Sequence, residues 1–298
     1  MNQEKNMEIK TAKEFLRSID LKLYKHASNY KTKINGFSSL TRDKQNALDK
    51  MFEEYYMYIQ ENISLHGYSK EIISERVSLL NNYYNFINQN NFDNVFSSQG
   101  KFRSTILEEF MYILFRDLIV EKLSAIEDVN KKIKIGGQRA YTNLYFSGSN
   151  FLNFVENPEI GIHQKDQDFA IYRPVKITVE NNLPLNANLP VVAIENKTYI
   201  DKTMLDGSIS TAEKIKAGNP YCLFLIVCEN YDVSLTIDPK YSKIDQIYVL
   251  RKAKRNAPNY NQPIFPEIVV DLFDEVNNHL SRDWSNVENK LLTSGKII

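Results

Sequence analysis

Asp168, Glu195 and Lys197 are the residues whose types and spacing point to chemistry. Asp168 opens the apolar run Phe169-Ala170-Ile171, Glu195 closes the run Val191-Val192-Ala193-Ile194, and Lys197 follows two residues later. A carboxylate at the end of a buried run is costly to desolvate, so it needs a partner or a metal. Side chains alternate along an extended segment, so Glu195 and Lys197 share a face, while Asn196 points away and leaves its backbone carbonyl between them. With Asp168 alongside, two carboxylates, a carbonyl and an ammonium surround a small volume. Such oxygen donors suit Mg²⁺, which takes one or two carboxylates and completes its shell with water and phosphate oxygens. The chemistry implied is metal-assisted phosphodiester hydrolysis, with Asp168, Glu195 and the Asn196 carbonyl as metal ligands. Lys197 would hold the attacking water and offset charge on the phosphate. A D…E-x-K pattern is short and also arises as a surface Asp with an inconsequential Glu–Lys pair. Its weight comes from the elements that carry it.

Those elements are legible in the hydrophobic periodicity. Residues 8–30, 41–64 and 69–92 carry apolar positions at helical spacing, with breaks at Asn35-Gly36 and Gly67 and at Ser98 to Gly100. A further helix is expected over 103–126. Beyond residue 133 the pattern turns β-like. Residues 133–135 and 141–146 flank Gly136-Gly137 as a hairpin, 168–180 read as one long strand or a bent pair, 181–190 as a loop and 191–200 as a strand. Residues 208–217 read as a helix, with Ser210 and Glu213 as a capping box and Gly218 and Pro220 as stops. Residues 221–229 form a buried strand, 245–251 another, and 266–280 an amphipathic helix. A helix joining two buried strands is a crossover, which requires parallel strands in one sheet. The fold class is α/β, with a helical N-terminal region over 1–100 and a catalytic core with a C-terminal helix over 101–298.

Further candidates surround the central three. Glu108 and Glu109 lie on the helix ahead of the sheet and flank its apolar stripe about equally. Spacing does not separate them, and Glu109 is our preference for an additional carboxylate facing the metal. Asp166 and Asp168 form a D-x-D pair, which raises the alternative of a metal-dependent glycosyltransferase, although no N-terminal nucleotide-binding βαβ unit or Gly-rich phosphate loop accompanies it. His163 lies near Asp166 without a second His or Cys close by. In 251–262, Lys252, Lys254, Arg255 and Asn256, with Arg251, Asn259 and Gln262, are placed to meet phosphates and base edges. Lys131, Lys132, Lys134 and Arg139 form a second basic stretch. The tyrosines of 55–84 fall at helical spacing and read as core.

Lys and Arg together equal Asp and Glu at 37 each, so any polyanion site must come from local clustering rather than bulk charge. The two cysteines, Cys222 and Cys228, share one apolar run and fit neither a zinc site nor a disulfide framework. No apolar run is long enough to span a bilayer, and the N-terminus has no signal-like stretch. A bacterial cytoplasmic protein is expected.

The segments KDQDFAI (165–171), VVAIENKTYIDKTMLDG (191–207), STAEKIKAGNPYCLFLIVCE (210–229) and IDQIYVLR (244–251) resemble the BbvCI-like type II restriction endonucleases. ILEEFMYILF (106–115) is similar to that family's helix ahead of the catalytic sheet. The resemblance covers roughly 100–284, and the first hundred residues share it only loosely. It implies the PD-(D/E)xK fold: a mixed sheet flanked by helices. It also implies Mg²⁺-dependent cleavage of double-stranded DNA at a short, (pseudo)palindromic CTNAG-like site, one strand per active site. On matching positions Asp168 and Glu195 become metal ligands and Lys197 the catalytic lysine. Gln167 stands where the family usually has a Pro, and Asn196 is the middle residue of E-x-K; neither side chain is needed for the chemistry. A two-fold DNA site calls for two active sites, hence a homodimer or a heterodimer with a related subunit. The alternative is a strand-nicking or DNA-binding subunit of a heterodimeric enzyme.

Overall fold

The apolar runs become the middle of one mixed sheet in the computed structural model, which describes residues 13–90, 92, 101–124, 132–179 and 182–296. Five strands lie in sequence order: β1 (Lys134–Ser147), β2 (Glu159–Ile177), β3 (Leu185–Ile200), β4 (Leu223–Tyr231) and β5 (Gln246–Val249). The first three pair antiparallel and the last three parallel. Helices α1 (Lys25–Asn35), α2 (Arg42–Ser64), α3 (Lys70–Gln89) and α4 (Lys101–Lys122) precede the sheet. The short α5 (Phe151–Glu156) tips the β1–β2 hairpin, and α6 (Lys202–Gly218) makes the β3–β4 crossover. Helices α7 (Pro266–Ser281) and α8 (Val287–Thr293) close the chain.

Period-2 alternation sorts the strand side chains between two apolar clusters. Phe169, Ile171, Val192, Ile194, Leu225 and Val227 pack with α1 to α4 and α7 on one face. Ala193, Phe224, Ile226 and Cys228 pack with Leu205, Ala212 and Ile215 of α6 on the other. β4 is buried along all but its last residue, as a strand covered on both faces must be. Both cysteines are buried free thiols, and Tyr55, Tyr58, Tyr83 and Tyr84 are core. Among the described residues no helix is long and apolar enough to cross a membrane.

Four expectations are corrected. The helix expected over 8–30 breaks after Ser18, because the Asp20 carbonyl accepts the Leu23 and Tyr24 N–H groups and closes a turn; α1 then starts at Lys25. Gly136-Gly137 is not a hairpin turn. Gly136, at φ 118°, sits inside β1 at a register shift, and the hairpin partner is β2. The loop expected over 181–190 is strand from Leu185, because its backbone pairs with β2 from Arg173 to Ile177. The crossover helix begins at Lys202 rather than 208: Asp201 accepts the Met204 N–H at 2.8 Å, and Ser210 falls inside the helix. The break at Ser98 to Gly100 and Lys131 lie outside the described residues.

Candidate active site

A fork in the sheet builds the site. The β2–β3 ladder runs from Ile177 opposite Leu185 to Phe169 opposite Ile194, while β1 and β2 stay paired out to Ser147 opposite Glu159. Asp168 stands where β2 and β3 part. Its Oδ2 accepts the Asn196 backbone N–H at 2.8 Å, so a carboxylate takes over where carbonyl pairing ends. Lys197 Nζ lies 3.5 Å from Glu195 Oε2 and 3.7 Å from Asp168 Oδ2. The spacing had brought Glu195 and Lys197 to one face, and the strand order brings Asp168 beside them. On the crossover helix, buried Ser208 donates to Glu195 Oε2 at 2.5 Å. Sequence reading missed Ser208: nothing marks this hydroxyl until α6 is docked over β3.

Burial raises the Asp168 carboxyl above its ordinary range; Lys197 and the Asn196 N–H oppose this, and the Glu195 charge adds to it. Glu108 is pushed up to about 7 by burial and then by the Asp168 charge, with Lys25 and Lys197 pulling the other way. Glu108 therefore shares the electrostatic field of the centre. The preference for Glu109 is corrected. Its carboxylate is buried and accepts the backbone N–H groups of His26 and Ala27 and the Tyr55 hydroxyl, at 2.9, 3.1 and 2.9 Å, which turns it into the N-terminal helices.

The basic loop divides. Arg251 is buried, paired with Glu229 at 2.9 Å, and belongs to the core rather than to a ligand surface. Lys252 pairs with Glu267 and lies over the Phe265 ring. Lys254, Arg255 and Asn256 are exposed. The Arg255 guanidinium stacks 3.6 Å from the centre of the Tyr199 ring, two residues beyond Lys197 on β3. A cleft of about 320 Å³ opens there, lined by Arg103, Thr198, Tyr199, Asn230, Arg255 and Asn261 among others. Asp166 is exposed and pairs with Arg139 on the hairpin surface at 3.3 Å. His163 lies against the Tyr145 ring.

The mixed sheet flanked by helices brings two carboxylates and a lysine together at its fork. The family model described as "Bpu10I restriction endonuclease" matches residues 99–291, and the chain belongs to that family: it is a site-specific deoxyribonuclease. A solved structure described as "native BbvCI A2B2 tetramer at low resolution" shares the fold, with TM-score 0.57 and 21% identity over 86% of this chain and 97% of that one. No curated protein matches the chain.

Proposed function

We propose that the chain hydrolyses double-stranded DNA at a short CTNAG-like site, one strand per active site, with Mg²⁺ held by Asp168, Glu195 and the Asn196 carbonyl. The observation that carries this is the single Lys197 ammonium lying within 3.7 Å of both carboxylates. The donor set fits a hard cation. Asp168 Oδ1 and Glu195 Oε1 accept no hydrogen bond among the described residues, so each carboxylate keeps an oxygen for a ligand. No three Asp, Glu, His or Cys side chains among the described residues converge as a closed cage. An open site of two carboxylates, completed by water and phosphate, is how Mg²⁺ is usually held. Bound there, Mg²⁺ supplies polarisation of the phosphate and a lowered water pKa. Lys197 holds the attacking water and meets charge developing on the phosphate. Ser208 fixes Glu195, and Glu108 takes the supporting role first given to Glu109.

Lys252, Lys254, Arg255 and Asn256 contact the DNA beside the Tyr199 cleft. Lys254→Ala is expected to lower the slope of log affinity against log salt by about one unit; an unchanged slope would leave that loop merely solvated. A two-fold site calls for two centres, so the protein works in the bacterial cytoplasm as a dimer, with a copy of itself or a related subunit. The alternative, a strand-nicking subunit, is favoured by the two kinds of subunit in the structural neighbour's description. The test is to incubate the purified chain with a random duplex library, with Mg²⁺ or with EDTA, and to map the ends. Metal-dependent double-strand breaks at one sequence support the homodimer. Nicks on one strand support the alternative, and no metal-dependent ends would refute both.

A further inference from the structure

Glu108 and Glu109 are neighbours on α4 with different duties, and together they bring a residue of the N-terminal helices to the catalytic centre. Glu109 Oε2 accepts the His26 and Ala27 N–H groups at 2.9 and 3.1 Å. These are the second and third N–H groups of α1, donors that a helix start leaves without intrahelical partners. Tyr24, which precedes the helix, offers no side-chain cap. The Glu109 carboxyl group of α4 supplies one. The first turn of α1 is thereby pinned beside the sheet, and Lys25 is its first residue.

From that turn Lys25 reaches over β1. Its Cε lies 3.2 Å from the point where a Cβ on Gly137 would stand, and the Asp168 carbonyl oxygen lies 3.0 Å from the same point. The absence of a side chain at Gly137 makes the room. Glu108 feels the charges of Asp168, Lys25 and Lys197. Lys197 lies on β3, and Lys25 comes to the Asp168 backbone from beside Gly137 of β1. Among the described residues the Lys25 ammonium forms no hydrogen bond or ion pair, although it is half-buried beside a cluster of carboxylates.

We propose that Lys25 is a second active-site cation, contributed by the N-terminal helical region, that binds a non-bridging phosphate oxygen of the DNA strand being cut. Lys25 precedes the segment matched by the family model, which begins at residue 99. The inference rests on the DNA-cleavage reading above. Two lysines flanking Asp168 grip the phosphodiester from both sides, which offsets the repulsion between the carboxylates and the phosphate.

The test uses the full-length chain and the variants Lys25→Ala, Lys25→Arg and Lys22→Ala, the last an exposed lysine in the turn just before α1. Two quantities are measured: single-turnover cleavage of mixed-sequence duplex in Mg²⁺, and binding of that duplex over a range of NaCl with Ca²⁺ replacing Mg²⁺. Lys25→Ala is expected to slow cleavage on the order of 100-fold, as removal of one donor to a charged transition state does. Its salt slope should fall by about one unit. Lys25→Arg should recover most of the rate and the slope, and Lys22→Ala should match the wild type. Wild-type rate and slope in Lys25→Ala would overturn the proposal. So would a loss of rate accompanied by a lower melting temperature that Lys25→Arg does not repair. A wild-type chain that makes no cuts would sink the nuclease reading instead, because the salt slope still reports whether Lys25 meets a phosphate.

Discussion

One step along a helix turns the side chain by about 100°, and for Glu108 and Glu109 that rotation separates the catalytic centre from the core. Glu109→Ala leaves two backbone N–H groups and the Tyr55 hydroxyl unpaired in a buried place. The expected cost is about 2–4 kcal/mol by denaturant titration. Glu108→Gln, by contrast, should slow cleavage with little change in unfolding. Burial raises Glu109 from the ordinary 4.5 to about 8, against the pull of its three donors. The folded state thus keeps a proton that the unfolded chain releases. Stability from this group is complete below 4.5 and is lost as pH rises towards about 8. Melting temperatures of wild type and Glu109→Gln should therefore shift in the variant's favour between pH 5 and pH 8; parallel curves would show Glu109 to be ionised throughout. That Glu195 and Lys197 share a face was legible because a strand's period fixes it, whereas Asp168 joins them only through the pairing of β2 with β3. The choice between Glu108 and Glu109 was not legible, since it depends on where α1, some eighty positions earlier in the chain, docks onto α4.

At the scale of elements, local propensity located the long helices and the sheet strands but not the short α5 and α8 or the first half of β2, and tertiary pairing moved the ends. Residues 185–190 look like a loop, yet an antiparallel neighbour makes them strand. Gly136-Gly137 looks like a turn, yet β1 passes straight through it and uses the missing side chains for close approach to Leu23 and Lys25. The crossover helix was recognised, and its true cap at Asp201 was not, because Ser210 and Glu213 offered the more familiar box. In the proposed mechanism that helix also holds Glu195 through Ser208. Ser208→Ala removes the hydrogen bond to Glu195 and is expected to reduce cleavage several-fold without loss of fold; an unchanged rate would return Ser208 to packing alone. Gly218 ends α6 where an added Cβ would lie 1.8 Å from the Thr142 carbonyl oxygen, backbone that cannot step aside. Gly218→Ala should therefore cost more than the roughly 1–3 kcal/mol of ordinary overpacking, read from chemical denaturation.

Across the whole molecule, one apolar cluster runs from the N-terminal helices through α4 to the sheet. The helical region thereby holds α1, with Lys25, in fixed relation to the fork. With equal numbers of acidic and basic groups overall, the proposed DNA binding rests on local clusters, the exposed loop at 254–256 and the lysines beside the carboxylates. At the other end, the hairpin tip exposes Phe146, Phe151, Leu152, Phe154 and Val155. This exposed apolar tip is the surface on which the proposed dimer is tested. Phe151→Asp with Val155→Asp should shift the sedimenting species towards monomer, and an unchanged species would place the contact elsewhere. The account as a whole stands on three side chains forming one cutting centre. Its most direct test is the yield of metal-dependent DNA ends from Lys197→Ala beside the wild type, on the same duplex library with equal protein bound. The account predicts abundant ends at one sequence from the wild type and a loss of at least roughly 100-fold in the variant. Equal yields from the two proteins would contradict it.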